Sequence, residues 1–284
     1  MHLIEIPDKN KSFQIASHWD DCNQEQVHFI LKYAFDVMAG TLSISEFRVK
    51  VFKCLSGIKF GIGYLIKQKL KLNTSVNEVV YKLSHNLCDW IFNKNDTGEY
   101  ELNYETVQNF FPVLLDRYYG PEALLSDMSL GEFKTALGAL DLYFESKEDP
   151  EEALIHLNYF LAVLYRPKKD NSARVSFHNY NIDENLFQKV PLWQKQCIVI
   201  WFTFCVKCLQ SEDIVINGIE CNFDVLFPEA TGAKTNKVNL GWTGILLDVA
   251  ESGVFGDAGL AAQTSLYDIL LFMLKKHQDQ SKQK

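Results

Sequence analysis

The sequence predicts a mostly α-helical protein, an irregular helical bundle with a small N-terminal β-hairpin and one further short β element. Three observations carry that expectation. Helix-start signatures recur: Asn23 is answered by Gln26, and Ser43, Ser75 and Ser129 by Glu46, Glu78 and Glu132, three positions on in each case. Two runs, 149–166 and 191–209, are apolar on nearly every face, as helices at the centre of a bundle are. The alternating pattern of strands is confined to the first sixteen residues and to short stretches further on.

Taken in order, His2 to Ile6 and Phe13 to Ala16 alternate and are joined by a polar segment, which reads as a small hairpin. Asn23 and Gln26 cap a helix expected to run to about Ala39, where Gly40 stops it. In each Ser-x-x-Glu segment the hydroxyl can accept a backbone N–H while the glutamate reaches back to the N–H of the capping serine. The first and third lie in similar hexapeptides, Leu42-Ser-Ile-Ser-Glu-Phe47 and Met128-Ser-Leu-Gly-Glu-Phe133. At 149–166, Asp149 caps, Pro150 takes the first helical position, and Glu151 and Glu152 complement the positive end. Arg166-Pro167 ends that helix. The second apolar helix runs from about Pro191 to Leu209. Between them, 167–182 is polar and irregular, with one short strand expected from Arg174 to Phe177. Residues 211–239 read as a linker that carries an Asn217-Gly218 hairpin signal. Two helices follow, at about 240–252 and 260–276, separated by Gly253, Gly256 and Gly259. The expected organisation is therefore a main helical body over 1–210, a linker over 211–239, a C-terminal helical hairpin over 240–276 and a frayed tail over 277–284.

Composition narrows the function classes. A chain of 284 residues with 47% hydrophobic and 23% charged residues is globular and can form one large domain or two small ones. Seven cysteines, several inside apolar helical runs, read as reduced, buried thiols of a cytosolic protein. The first residues lack a basic stretch followed by an apolar one, so no secretory signal is expected. The longest strongly apolar run, Ile198 to Val206, is far short of the roughly 20 residues of a membrane span. The net charge is −8 and no basic stripe interleaves with aromatics, which argues against nucleic acid as a partner. Charge is uneven: residues 48–95 hold nine Lys or Arg and two acidic residues, whereas 96–152 hold three basic and fourteen acidic ones. That polarity suits solvated surfaces of opposite sign and is also compatible with self-association.

No motif for catalysis or cofactor binding is complete. Cys205-Val-Lys-Cys208 lies late in an apolar helical run and has no second ligand pair, so it reads as core and not as a zinc or redox site. The seven histidines are scattered and form no His-Glu-x-x-His. Gly61-Ile-Gly63 lacks the third glycine of a dinucleotide fingerprint. Gly232-Ala-Lys234-Thr235 lacks the Gly-Lys juncture of a phosphate loop. No metal, cofactor or catalytic residue is assigned. An enzyme or small-molecule binder would need a site assembled from distant residues.

Several blocks carry a resemblance. They are Trp19, Gln24-Glu-Gln26 and Ile44-Ser-Glu-Phe47-Arg-Val; then Tyr118-Tyr-Gly-Pro-Glu-Ala-Leu-Leu-Ser-Asp-Met-Ser-Leu-Gly-Glu-Phe133; then Leu161-Ala-Val-Leu-Tyr-Arg-Pro167 with Ala173-Arg174-Val-Ser-Phe177. Together they resemble a family of proteins from tailed phages and prophages of Bacteroidetes-type bacteria, over most of the chain. Gly241-Trp242 and the helices after it look similar to proteins that act beside the tape-measure protein. The resemblance implies a non-enzymatic tail-assembly factor, chaperone-like, in the cytoplasm of the bacterial host. Its partner would be a tape-measure or other tail protein. The chain is larger and more elaborate than a typical tail-assembly chaperone, which leaves a structural tail or connector protein of the virion as the alternative. No site residue carries over from the family. The partner-binding expectation falls on the apolar positions of the C-terminal hairpin: Trp242, Leu246, Val249, Phe255, Leu266 and Leu270.

Overall fold

A computed structural model describes residues 1–6, 11–57, 74–168, 173–216, 218–227 and 241–282. The chain divides into two compact units, Met1–Thr106 and Val107–Lys284. That division falls inside the stretch the sequence reading takes as one body.

Unit 1 opens with the expected hairpin. Strands β1 (His2–Ile6) and β2 (Lys11–Ile15) pair antiparallel, His2 opposite Ile15. Helix α1 (Gln24–Met38) starts on a complete capping box, the Asn23 side chain accepting from Gln26 N and the Gln26 side chain from Asn23 N, both at 2.9 Å. Helix α2 (Ile44–Ser56) starts on the equivalent box of Ser43 and Glu46. Helix α3 (Thr74–Leu87) packs on α2. The Ser75–Glu78 box expected at its start rests on a Ser75 side chain outside the described residues. Arg48 is buried on α2 and donates to His85 Nδ1 at 2.6 Å and to Asp89. Trp19 sits edge-on to Trp90 and Tyr104, with centroids 5.0 and 4.8 Å away, and its Nε1 donates to Asn103 O at 2.6 Å. Strands β3 (Phe92–Lys94) and β4 (Tyr100–Leu102) form a second hairpin.

Unit 2 is built on three helices. They are α4 (Leu130–Glu145), α5 (Pro150–Leu164) and α6 (Leu192–Ser211). Helix α5 begins as the sequence implies, with Asp149 accepting from the N–H groups of Glu151 and Glu152 and Pro150 in first place. Phe202 of α6 meets Phe133 of α4 and Phe160 of α5 at centroid distances of 5.9 and 5.2 Å, which locates the core. Cys205 and Cys208 are buried in the last turns of α6, as small core residues are. The Asn-Gly signal corresponds to the antiparallel pair β7 (Ile214–Ile216) and β8 (Ile219–Cys221), with Gly218 at φ +80°. The pair β5 (Val113–Leu114) and β6 (Tyr118–Tyr119) turns through Leu115 and Asp116, both at positive φ.

The expected strand at 174–177 is a correction. Arg174 makes a single bridge with Lys168, and Phe177–Asn179 is a turn of 3₁₀ helix. The arginine side chain turns inward to carboxylates, and the segment follows it instead of continuing a ladder. The C-terminal region holds three helices where two were expected: α7 (Gly241–Glu251), α8 (Ala258–Gln263) and α9 (Leu266–Lys282). Helix α8 stops because Ser265 bridges Ser129. Leu130 N donates to Thr264 O and Leu266 N to Met128 O, each at 2.9 Å, which breaks the helical ladder there. Helix α9 continues past residue 276, since no Gly or Pro interrupts 266–282.

Candidate functional site

Unit 2 carries a polar cleft of about 640 Å³. Its lining comes from Gln108, Asn109 and Pro112, from the 119–132 segment, from Arg166, Lys168 and residues 173–178, and from Gln263 at the end of α8. Each wall has a local cause. Leu124 and Leu125 take left-handed φ of 52° and 61°, a conformation that costs non-glycine residues of order 1–3 kcal/mol each. The turn is held by Leu124 N donating to Val107 O at 3.0 Å and by Tyr267 Oη donating to Leu124 O at 2.8 Å. It delivers Asp127, whose Oδ1 accepts from Glu122 N at 2.8 Å and whose Oδ2 faces Arg174. Gly120 is needed beside the cleft, because a Cβ there would lie 2.6 Å from the ring of the fully buried Tyr165.

At the back of the cleft two guanidinium groups clasp one carboxylate. Arg166 grips Glu132 with both Nη atoms at 2.9 Å, and Arg174 Nη1 reaches Glu132 Oε1 at 2.9 Å. Arg174 Nε donates to Asp127 Oδ2 at 2.9 Å, and its Nη1 also to Leu164 O at 2.6 Å. Arg166 Nε donates to Val175 O at 2.8 Å, and its Nη1 also to Val163 O. The Glu132, Arg166 and Arg174 side chains are 2%, 3% and 5% exposed. Burying such charges is tolerable only because each is paired and hydrogen-bonded. Desolvation pulls the Arg174 pKa down, and Glu132 and Asp127 more than reverse it, so it stays above the usual arginine value.

Glu132 was expected to complete a capping box and does not. Ser129 Oγ accepts from Glu132 N at 3.2 Å, but the glutamate side chain has turned to the arginines. In the sequence Glu132 reads as a cap and Arg174 as a strand residue, whereas in the fold the two side chains meet. The signals present were an arginine ending a greasy helix and a glycine inside the first turn of α4. Gly131 packs so closely that a Cβ would lie 2.9 Å from Ala262 O and 3.0 Å from His178.

The six apolar positions named for partner binding are placed as follows. Val249, Leu266 and Leu270 are fully buried in unit 2. Trp242, Leu246 and Phe255 are half-buried. Trp242 packs against Phe133 and Phe227 at 4.6 and 5.0 Å, and Phe255 against Phe272 at 5.3 Å. The apolar side chains that stand out from this region are Leu247, Val254 and Leu260. Among the described residues, no group of three or more His, Cys, Asp or Glu is arranged to hold a metal ion, and no helix is long and apolar enough to cross a membrane. Compared with protein-family models, curated proteins and solved structures, the chain matches none.

Proposed function

We propose that the chain acts by binding another protein and not by catalysis, and that the cleft of unit 2 receives a segment of that partner. The observation that carries this reading is the arrangement of Asp127, Glu132, Arg166 and Arg174. These four charges, from separate parts of the chain, are spent on one another and fix the cleft's shape before any ligand enters. The C-terminal helices then have a different part from the one expected of them. Their buried residues anchor them to the unit, and Gln263 adds to the cleft. The resemblance to phage and prophage tail proteins supplies the context: an assembly factor in the host cytoplasm whose partner is a tape-measure or other tail protein. A second reading, a small-molecule binder, is favoured by the cleft's volume, which lies within the range of small-ligand pockets.

The test is capture of the partner by the tagged full chain from cells with an induced phage, with the wild type beside Ala173→Trp. Ala173 is an exposed residue of the cleft wall that takes no part in the charge network, so tryptophan there is chosen to narrow the cleft while keeping all four charges. The reading expects one tail protein, recovered by the wild type and lost with the variant. Equal recovery by both, or recovery of no tail protein, contradicts it. Stoichiometric recovery in purified particles assigns the structural virion role instead.

A further inference from the structure

We infer that the group seated in this cleft is an oxyanion, a carboxylate or a phosphate, and that Arg174 is its principal donor. The inference rests on the reading of the cleft as a binding site. Arg166 has every nitrogen engaged: Nε on Val175 O, Nη1 on Glu132 and Val163 O, Nη2 on Glu132. Arg174 has Nε and Nη1 engaged, while its buried Nη2 has no hydrogen-bond partner among the described residues. A buried donor without an acceptor is costly, and more so when it belongs to a charged group. The unmet valence therefore sits on a side chain that lines the cleft.

Three further features fit the same ligand. The Arg174 guanidinium is held by Asp127, Glu132 and Leu164 O, so its free edge keeps one direction and loses little entropy when an acceptor arrives. Lys168 lies on the cleft wall with Nζ 4.4 Å from the centroid of the Tyr119 ring. Asp127 and Glu132 are matched to the two arginines, and the remaining carboxylate among the described lining residues is the exposed Glu122. The sixteen-residue helix α4 also begins at the cleft, with Ser129 and Glu132 in the lining, so its dipole adds positive potential there although Leu130 N and Glu132 N are already engaged. A planar carboxylate or a phosphate can take the Arg174 Nη2 hydrogens, and Lys168 adds a positive charge to the same lining.

The experiment is calorimetric titration of the full chain with inorganic phosphate and, in a separate arm, with acetate. Wild type, Arg174→Lys and Ala173→Trp are compared in low-chloride buffer. Arg174→Lys keeps the charge facing Asp127 and Glu132 and removes the planar fork, and Ala173→Trp leaves the network whole. One saturable site is expected for at least one anion, weakened at least tenfold in both variants. Saturation by phosphate alone identifies a phosphorylated ligand, and by acetate alone a carboxylate. No saturable binding of either anion overturns the inference, as does binding that both variants retain. The partner-capture test reads the underlying proposal separately. Capture that depends on Ala173 without anion binding leaves a binding cleft of another chemistry. Anion binding with capture indifferent to Ala173 leaves the oxyanion site and removes the protein partner from it.

Discussion

Two helices in this protein begin with the same residues and use them differently. At the start of α2, Ser43 Oγ accepts from Glu46 N at 3.3 Å, and the Glu46 carboxylate turns back to Ser43, at 3.4 Å from its N and 2.9 Å from its Oγ. At the start of α4, Ser129 does the same for Glu132 N, but the Glu132 carboxylate leaves its own helix for Arg166 and Arg174. The intervening residues account for the difference. Ser45 is half-buried between the exposed Ser43 and Glu46, whereas Gly131 lets Ala262 and His178 close over the first turn of α4. Once that turn is buried, a carboxylate bonded only to a backbone N–H is a poor arrangement, and two buried arginines offer a better one. A capping motif therefore sets where a helix starts, and tertiary packing sets what its glutamate does.

The sharpest way to break the comparison is to remove each glutamate in turn. Glu132→Ala leaves two buried guanidinium groups without their shared carboxylate, and unit 2 is expected to lose about 3–5 kcal/mol in chemical denaturation. Glu46→Ala removes an exposed capping partner and is expected to cost about 0.3–1.5 kcal/mol in unit 1. Gly120→Ala is expected to cost unit 2 about 1–3 kcal/mol, because the new methyl meets the Tyr165 ring at 2.6 Å. Tyr165 Oη donates to Phe111 O at 2.8 Å, so the ring has little room to move, and loss of that bond would show in the same denaturation curve. Ser129→Ala and Ser43→Ala should cost similar amounts, about 1 kcal/mol each, since both hydroxyls cap alike. A large inequality between them would show that the serines, and not only the glutamates, differ in role. The smallest expected effect is none. Burial pushes the Cys22 and Cys88 thiols up to about 12 and raises Cys197 and Cys205 as well. At neutral pH these groups hold almost no thiolate, so they should stay unmodified by a thiol reagent in the native chain and react only after unfolding.

The helical class was legible because the caps and the two greasy helices speak locally. Asn23, Ser43, Asp149 and Pro150 each do in the structure what their positions imply. The hairpins at 92–102 and 113–119 were not, since strands of two or three residues are too short to show alternation, and Leu115 and Asp116 make their turn without a glycine. The C-terminal apolar positions show the limit of periodicity. Val249, Leu266 and Leu270 have the spacing of an interaction face and of a core face alike, and packing on unit 2 made them core. The cleft was illegible for a further reason. Asp127, Glu132, Arg166 and Arg174 are ordinary charged residues in the sequence, and their convergence depends on a left-handed turn at Leu124–Leu125 and on a glycine contact at Gly131.

The most direct test of this account is a double-mutant cycle between Glu132 and Arg174, read as the stability of unit 2. The buried network predicts a coupling above about 1 kcal/mol, since the second substitution removes a charge that the first has left unpaired. Additivity within about 0.3–0.5 kcal/mol would contradict it, because the two side chains would then not share the contact on which the shape of the cleft depends.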